Sequence, residues 1–243
     1  NQVSAWRISP EGEQIWINTY GLSWCYAVIE LKSGEFLLSG RDELNALLVL
    51  IDGDGNAIWR REYSIDTWNL FVSMRETDGG VIVTGSTRPR PNSDDSVIWI
   101  LKIDPEREGE IIWSQTYEIR PSQIAMSIVS ATNNGFIIAG YANNQLEDND
   151  RIDYRSWWLV LRINEDGELI WSREYEMGNA QYCGKCCGID RLRFDDNNMI
   201  IVGGGGDGGP DLGTLLNINE DGQENWRRIY EEIQEFDVHQ FLS

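Results

Sequence analysis

Apolar positions along the chain fall into short runs instead of helical stripes. Segments such as EFLLSG, ALLVLI, GVIVTG, VIWILKI, GFIIAG and WWLVLRI are rich in β-branched and aromatic residues and bounded by Gly, Asn and Asp. Such runs predict strands joined by tight turns. No stretch carries a 3.6-residue period, so the chain is expected to be all-β.

The runs recur in a fixed order. Trp16, Trp59, Trp113, Trp171 and Trp226 are separated by 43, 54, 58 and 55 residues. Four residues before each stands a glycine (Gly12, Gly55, Gly109, Gly167, Gly222), and four residues after each a tyrosine (Tyr20, Tyr63, Tyr117, Tyr175, Tyr230). GxxxWxxxY therefore occurs five times. A second block precedes it in four units: Gly34-Glu-Phe-Leu-Leu-Ser-Gly40, Gly79-Gly-Val-Ile-Val-Thr-Gly85, Asn134-Gly-Phe-Ile-Ile-Ala-Gly140 and Asn197-Asn-Met-Ile-Ile-Val-Gly203. A third is an apolar run closed by a turn, as in ALLVLIDGDG and WWLVLRINEDG, with SAWRISPEG as a further copy.

Residues i and i+4 of a strand share a face, so each Trp and its Tyr should project together from the last strand of a unit and pack between units. The glycine before the Trp falls in the hairpin leading into that strand, where a positive φ is often required. Four antiparallel strands repeated in this way predict a propeller blade, because one such sheet cannot bury both faces until neighbours stack on it.

On these residues the whole chain resembles the repeat β-propellers, in particular the quinoprotein-like group whose tryptophan-docking motif places a Gly four residues before a Trp at the end of each blade. The Gly-to-Trp spacing is kept in all five copies, but the Ala-x-Asp-x-x-Thr-Gly opening of that motif is absent. The resemblance implies a propeller fold; the Trp alone does not imply a quinone cofactor.

With strands lettered A to D outward from the axis, one propeller domain is expected over 1–243, with four-stranded blades at about 21–63, 64–117, 118–175 and 176–230. The chain opens with strands C and D (1–20) and ends in a candidate A strand, Phe236 to Ser243. Residues 1–20 and 231–243 would then share a closing fifth blade that lacks strand B. The alternative is a fragment of a larger propeller, and the first residues, NQVSAW, read as a processed or excised chain.

Charge narrows the partners. The 243 residues carry 20 Lys+Arg against 40 Asp+Glu, a formal net charge of −20. A cationic face is needed to hold polyphosphate, so nucleic acid is an unexpected partner. No apolar run is long enough to suggest membrane insertion. Lys occurs only at 32, 102 and 185; this acid-rich, Lys-poor composition leans towards an extracellular or cell-surface location.

Candidate chemistry lies on the B–C and D–A loops, which vary in length while the A–B and C–D turns stay tight. The longest, Tyr141 to Ser156, combines Asp148, Asp150 and Asp153 with Tyr141, Tyr154 and Arg155. Aromatic faces with acidic and amide groups suit a sugar, clustered carboxylates suit calcium, and a solvated acidic loop is the plain alternative. Asp52, Asp54 and Asn56 reproduce the first ligand spacings of an EF-hand loop, but Ala57 stands where that loop needs Gly and Tyr63 where it needs Glu, which favours an ordinary hairpin turn. Asp190, aligned with Ala27, Val72 and Ser127 on strand A, is the most unusual acid in the repeat frame and would face the channel.

Four cysteines are the most specific signal. Cys183, Cys186 and Cys187 lie in YCGKCCG, an extended D–A loop, and alignment of the A strands puts Cys25 opposite Gly188. Two disulfides, or a Cys-bound zinc or iron–sulfur site, fit this set. The resemblance adds a third reading, a vicinal Cys186–Cys187 disulfide like the ring that stacks on the quinone in quinoprotein alcohol dehydrogenases. A single histidine, His239, and the absence of a GxSxG motif leave no catalytic constellation. The expected function is a non-enzymatic binding or surface-assembly propeller whose partner is a protein, a glycan or another copy of itself. No cofactor is expected, with calcium or a Cys-bound metal as the exception. The alternatives are a redox or hydrolytic enzyme with its site at the channel mouth, and a structural subunit of a surface layer or fibre whose incomplete blade accepts a neighbour's strand.

Overall fold

In the computed structural model the repeat resolves into sheets. It describes residues 3–65, 67–89, 95–131, 134–148, 151–176, 189–195, 198–204 and 213–230. Two compact units divide the chain, Asn1–Thr116 and Tyr117–Ser243. Among the described residues there is no α-helix, only a 3-10 turn at Pro105–Arg107, and no helix is long and apolar enough to cross a membrane.

The first unit opens with a two-stranded sheet, β1 (Ser4–Ile8) and β2 (Gln14–Thr19). Two antiparallel four-stranded sheets follow. One runs β3 (Trp24–Glu30), β4 (Phe36–Asp42), β5 (Asn45–Ile51), β6 (Ala57–Tyr63); the next runs β7 (Asn69–Thr77), β8 (Gly80–Thr87), β9 (Val97–Asp104), β10 (Glu110–Tyr117). The second unit holds β11 (Gln123–Ser130), β12 (Phe136–Asp148), β13 (Arg151–Ile163), β14 (Leu169–Glu176), and then β15 (Ile189–Asp195), β16 (Asn198–Gly204), β17 (Gly213–Asn219), β18 (Glu224–Tyr230). In every sheet each strand pairs with its sequence neighbour.

Burial follows strand position. Strand β5 is buried almost throughout, as a continuous apolar run must be when both faces are covered, whereas β6 buries only Trp59 and Tyr63. In the first unit Leu37, Leu48 and Leu50 pack against Phe71, Val83 and Leu101. Phe71 sits 5.0 Å from the Trp99 ring and 5.5 Å, edge-on, from Tyr63, a geometry aromatic pairs favour. In the second unit Ile137, Trp158 and Val160 share a core with Leu216 and Ile218.

The hairpin into each last strand is closed by one device. The side-chain oxygen of Ser9, Asp52, Asn164 or Asn219 accepts from the backbone N–H groups two and four residues on, at 2.8–3.2 Å. Its carbonyl accepts from the motif glycine. In the β9–β10 hairpin the 3-10 turn is inserted, and Asp104 still accepts from Glu106 and, through its carbonyl, from Gly109. Gly109 has φ 71°, the left-handed region that disfavours a Cβ.

Three expectations are corrected. Tyr141 to Ser156 is not a loop: β12 and β13 stay paired from Phe136 with Ile163 out to Asp148 with Arg151. No Pro or Gly interrupts this stretch, so the ladder that starts in the core continues outward. The two A-strand alignments are each displaced by one residue. Every first strand carries a β-bulge, between Cys25 and Ala27, Phe71 and Ser73, Ala125 and Ser127, and Ile189 and Arg191. Asp190 therefore matches Tyr26, Val72 and Met126, not Ala27 and Ser127, and Cys25 matches Ile189, not Gly188. The bulge also accounts for the glycine ending the second block: a Cβ on Gly85 would collide with the Leu70 carbonyl oxygen and lie 2.9 Å from Phe71 Cα.

Candidate functional site

The recurring Gly-Trp-Tyr motif defines a constant scaffold. Tyr20 donates to the Gly55 carbonyl at 2.8 Å and Tyr63 to that of Gly109 at 2.7 Å; in the second unit Tyr117 donates to Gly167 at 2.5 Å and Tyr175 to Gly222 at 2.6 Å. The indole N–H groups of Trp16, Trp59 and Trp171 donate to the carbonyls of Gly53, Pro105 and Glu220 at 2.9–3.1 Å. Each of these tyrosines and tryptophans thus fastens onto the turn of the following copy. Burial pushes the Tyr63, Tyr117 and Tyr175 hydroxyls well above the ordinary phenol range, so they stay protonated donors.

At the ends of β3 and β4 remote from these turns, the first unit gathers a row of alternating Trp and Arg. Trp24 and Arg41 are paired across β3 and β4, with the guanidinium 4.1 Å from the Trp24 ring centre and 5.6 Å from that of Trp68. Trp68, on the segment leading into β7, is in turn 4.8 Å from the Arg88 guanidinium, just beyond β8. Thr67 donates its hydroxyl to the Arg88 carbonyl, Arg88 its N–H to the Trp68 carbonyl, and Ser23 its N–H to the Arg41 carbonyl. Backbone pairing therefore holds both arginine-bearing segments against the Trp-bearing ones. The row lies at the end of the sheets where β4 leads into β5 and β8 into β9.

Arg41 differs from Arg60 and Arg120. Arg60 pairs with Asp42 at 3.2 Å and Glu62 at 2.8 Å, and in the second unit Arg120 stacks on Trp157 at 3.9 Å while pairing with Glu174 at 2.6 Å. The Arg41 guanidinium has no hydrogen-bond or carboxylate partner among the described residues; its Nε is buried and unpaired, as is that of Arg120. Trp24 is 47% exposed.

A second feature is an apolar cavity of about 360 Å3 between β1–β2 and the opposite face of the β3–β6 sheet, lined by Trp6, Trp16, Cys25, Val28, Phe36 and Leu38 among others. Trp6 (65%), Ile8 (61%) and Val28 (61%) are exposed beside it. Cys25 is a free thiol here among the described residues; burial raises its pKa, partly opposed by its contact with the Ala27 carbonyl at 3.7 Å.

The sequence candidates distribute as follows. Asp52 accepts from Asp54 N–H, Asn56 N–H and the Asn56 amide at 2.8–2.9 Å, which closes the turn and holds its carboxyl below the usual range, the Asn56 side chain contributing most. Asp54 and Asn56 thus belong to a hairpin. Among the described residues no group of three or more His, Cys, Asp or Glu stands together as a metal set. Tyr141 lies opposite Trp158 in the β12–β13 ladder, where Leu146 pairs with Asp153, Gln145 with Tyr154, Asn144 with Arg155 and Asp148 with Arg151. The pleat therefore puts positions 148, 153 and 155 on one face and 141 and 154 on the other. Asp190 is the bulge residue of β15. Asp150, Cys183, Cys186, Cys187 and the 231–243 segment with His239 lie outside the described residues.

Sequence reasoning missed Trp24, Arg41, Trp68 and Arg88. The available signal was a tryptophan outside the docking motif at the start of two successive units. No protein-family model matches the chain, and no curated protein matches it.

Proposed function

We propose that the four-stranded sheets are blades of a propeller of about five blades, similar to the tryptophan-docking propellers, closed by a blade shared between the N- and C-terminal strands. In this reading the chain is a non-enzymatic, extracellular or cell-surface binding module whose ligand sits on the B–C and D–A end. The observation that carries it is the Trp24, Arg41, Trp68, Arg88 row: half-exposed aromatic surface and an Arg41 guanidinium with no carboxylate partner among the described residues, held by backbone pairing on a scaffold that otherwise repeats. Large aromatic faces with a few placed polar groups are the usual material of a binding site. A saccharide array probed with the protein and two sets of variants tests the reading. Loss of binding in Trp24→Ala and Arg88→Ala, with Asp54→Ala at the opposite end unaffected, is expected; loss only in Asp54→Ala contradicts it.

Self-assembly has its own supporting observation. Strand β1 pairs with β2 alone among the described residues, and the apolar cavity opens beside it. An unpaired edge next to uncovered apolar surface is a template for strand addition. Concentration-dependent association abolished by Ile8→Pro supports this second reading; a monomer at high concentration contradicts it.

A further inference from the structure

We propose that the Trp24, Arg41, Trp68, Arg88 row binds a saccharide carrying a single carboxylate, with Arg41 as the carboxylate-binding residue and Trp24 as the stacking platform. The inference rests on the binding-module reading above and names its ligand.

The argument starts from Arg41. In a chain of net charge −20, carboxylates are abundant, yet none reaches this guanidinium among the described residues. Two indoles hold it instead, and stacking on an aromatic face leaves the in-plane N–H donors of a guanidinium unused. Those donors form a fork that matches a carboxylate with two parallel hydrogen bonds. Arg88 lies on the far side of Trp68, its guanidinium 4.8 Å from that ring.

Trp24 decides between ligand classes. Its ring is half exposed, and its indole N–H has no partner among the described residues. A flat aromatic face flanked by hydrogen-bond donors suits the apolar C–H face and hydroxyl rim of a pyranose ring. The net charge limits the ligand further: a polyanion would be repelled over the whole surface, whereas one carboxylate on a neutral sugar chain gains the local contact at little long-range cost. These features favour a uronate-terminated oligosaccharide over an acidic peptide.

Titration calorimetry on the full chain tests this with three probes: a neutral xylo-oligosaccharide, the same oligosaccharide bearing one terminal glucuronate, and hexaglutamate. The glucuronate-bearing probe is expected to bind at least about tenfold more tightly than the neutral one, the worth of a charge-assisted hydrogen bond. Arg41→Gln should erase that preference while leaving residual neutral-sugar binding, and Trp24→Ala should weaken both sugars; near-ultraviolet circular dichroism verifies the folds of both variants. Equal binding of the neutral and acidic sugars, unchanged by Arg41→Gln but lost in Trp24→Ala, overturns the carboxylate inference and leaves the binding face standing. Hexaglutamate binding as tightly as the acidic sugar overturns the saccharide assignment. No saccharide binding at millimolar concentration, or binding indifferent to both variants, overturns the inference together with the row as the ligand site.

Discussion

The Tyr63 hydroxyl donates a 2.7 Å hydrogen bond to the carbonyl of Gly109, forty-six residues further along the chain, and both belong to successive copies of one motif. Tyr63 ends β6, and Gly109 lies in the hairpin turn just before β10 of the next sheet, so this bond ties one repeat to its successor. A Cβ on Gly109 would also come within 3.0 Å of Trp59 Cη2. The motif's three positions are thus parts of a single joint: the glycine carbonyl accepts from the tyrosine, and the tryptophan donates to an earlier carbonyl of the same turn, that of Pro105.

Removing the Tyr63 hydroxyl leaves a buried carbonyl without its donor. Tyr63→Phe should destabilise the first unit by about 1–2 kcal/mol, the usual penalty for an orphaned buried acceptor. Urea denaturation followed by tryptophan fluorescence checks it, and an unchanged midpoint would show that water replaces the bond.

A larger loss is expected at the bulge. Gly85→Ala drives a methyl group into the Leu70 carbonyl, which the β7–β8 ladder cannot move without breaking its pairing. The expected cost is about 2–3 kcal/mol, in the range of overpacked sites, measured by the same denaturation. Retention of wild-type stability would mean that the bulge relaxes.

Stability should fall at alkaline pH. Burial raises the Tyr63, Tyr117 and Tyr175 hydroxyls above their value in the unfolded chain, about 10. Their contribution is complete below that pH and is lost as pH rises towards the folded values, because the unfolded chain then releases protons that the folded one keeps. Thermal midpoints from pH 8 to 11 should decline beyond pH 10, less steeply in Tyr63→Phe.

On the acid side, Asp52 works in the opposite direction. Its carboxyl is held low by the Asn56 side chain and the turn N–H groups, so its contribution is present above its unfolded pKa and disappears as pH falls through the lowered folded value. Asn164 and Asn219 close equivalent turns with an amide oxygen. Asp52→Asn should therefore fold normally at pH 7 and lose this part of the acid dependence, whereas Asp52→Ala should be destabilised at both pH values. A pH series of thermal melts separates the two.

What adjacent residues determine was legible in the sequence. Strand runs, tight turns and the glycine before each docking tryptophan follow from backbone conformational preference and the two-residue pleat, which operate over a few positions. The expectation that Trp and Tyr pack between repeats also followed from spacing, since i and i+4 share a strand face. Only the tertiary structure decided what depends on register. One bulge residue in each first strand moved Asp190 and Cys25 by a position in the repeat frame, because an extra residue leaves no mark in an apolar pattern. The β12–β13 ladder ran on through the mostly polar stretch from Asn143 to Asp148, because backbone pairing begun in the core needs no continuous apolar run to continue. The placing of Arg41 between Trp24 and Trp68 joins three separate segments, brought together by pairing within one sheet and packing against the next, and no local pattern encodes that meeting.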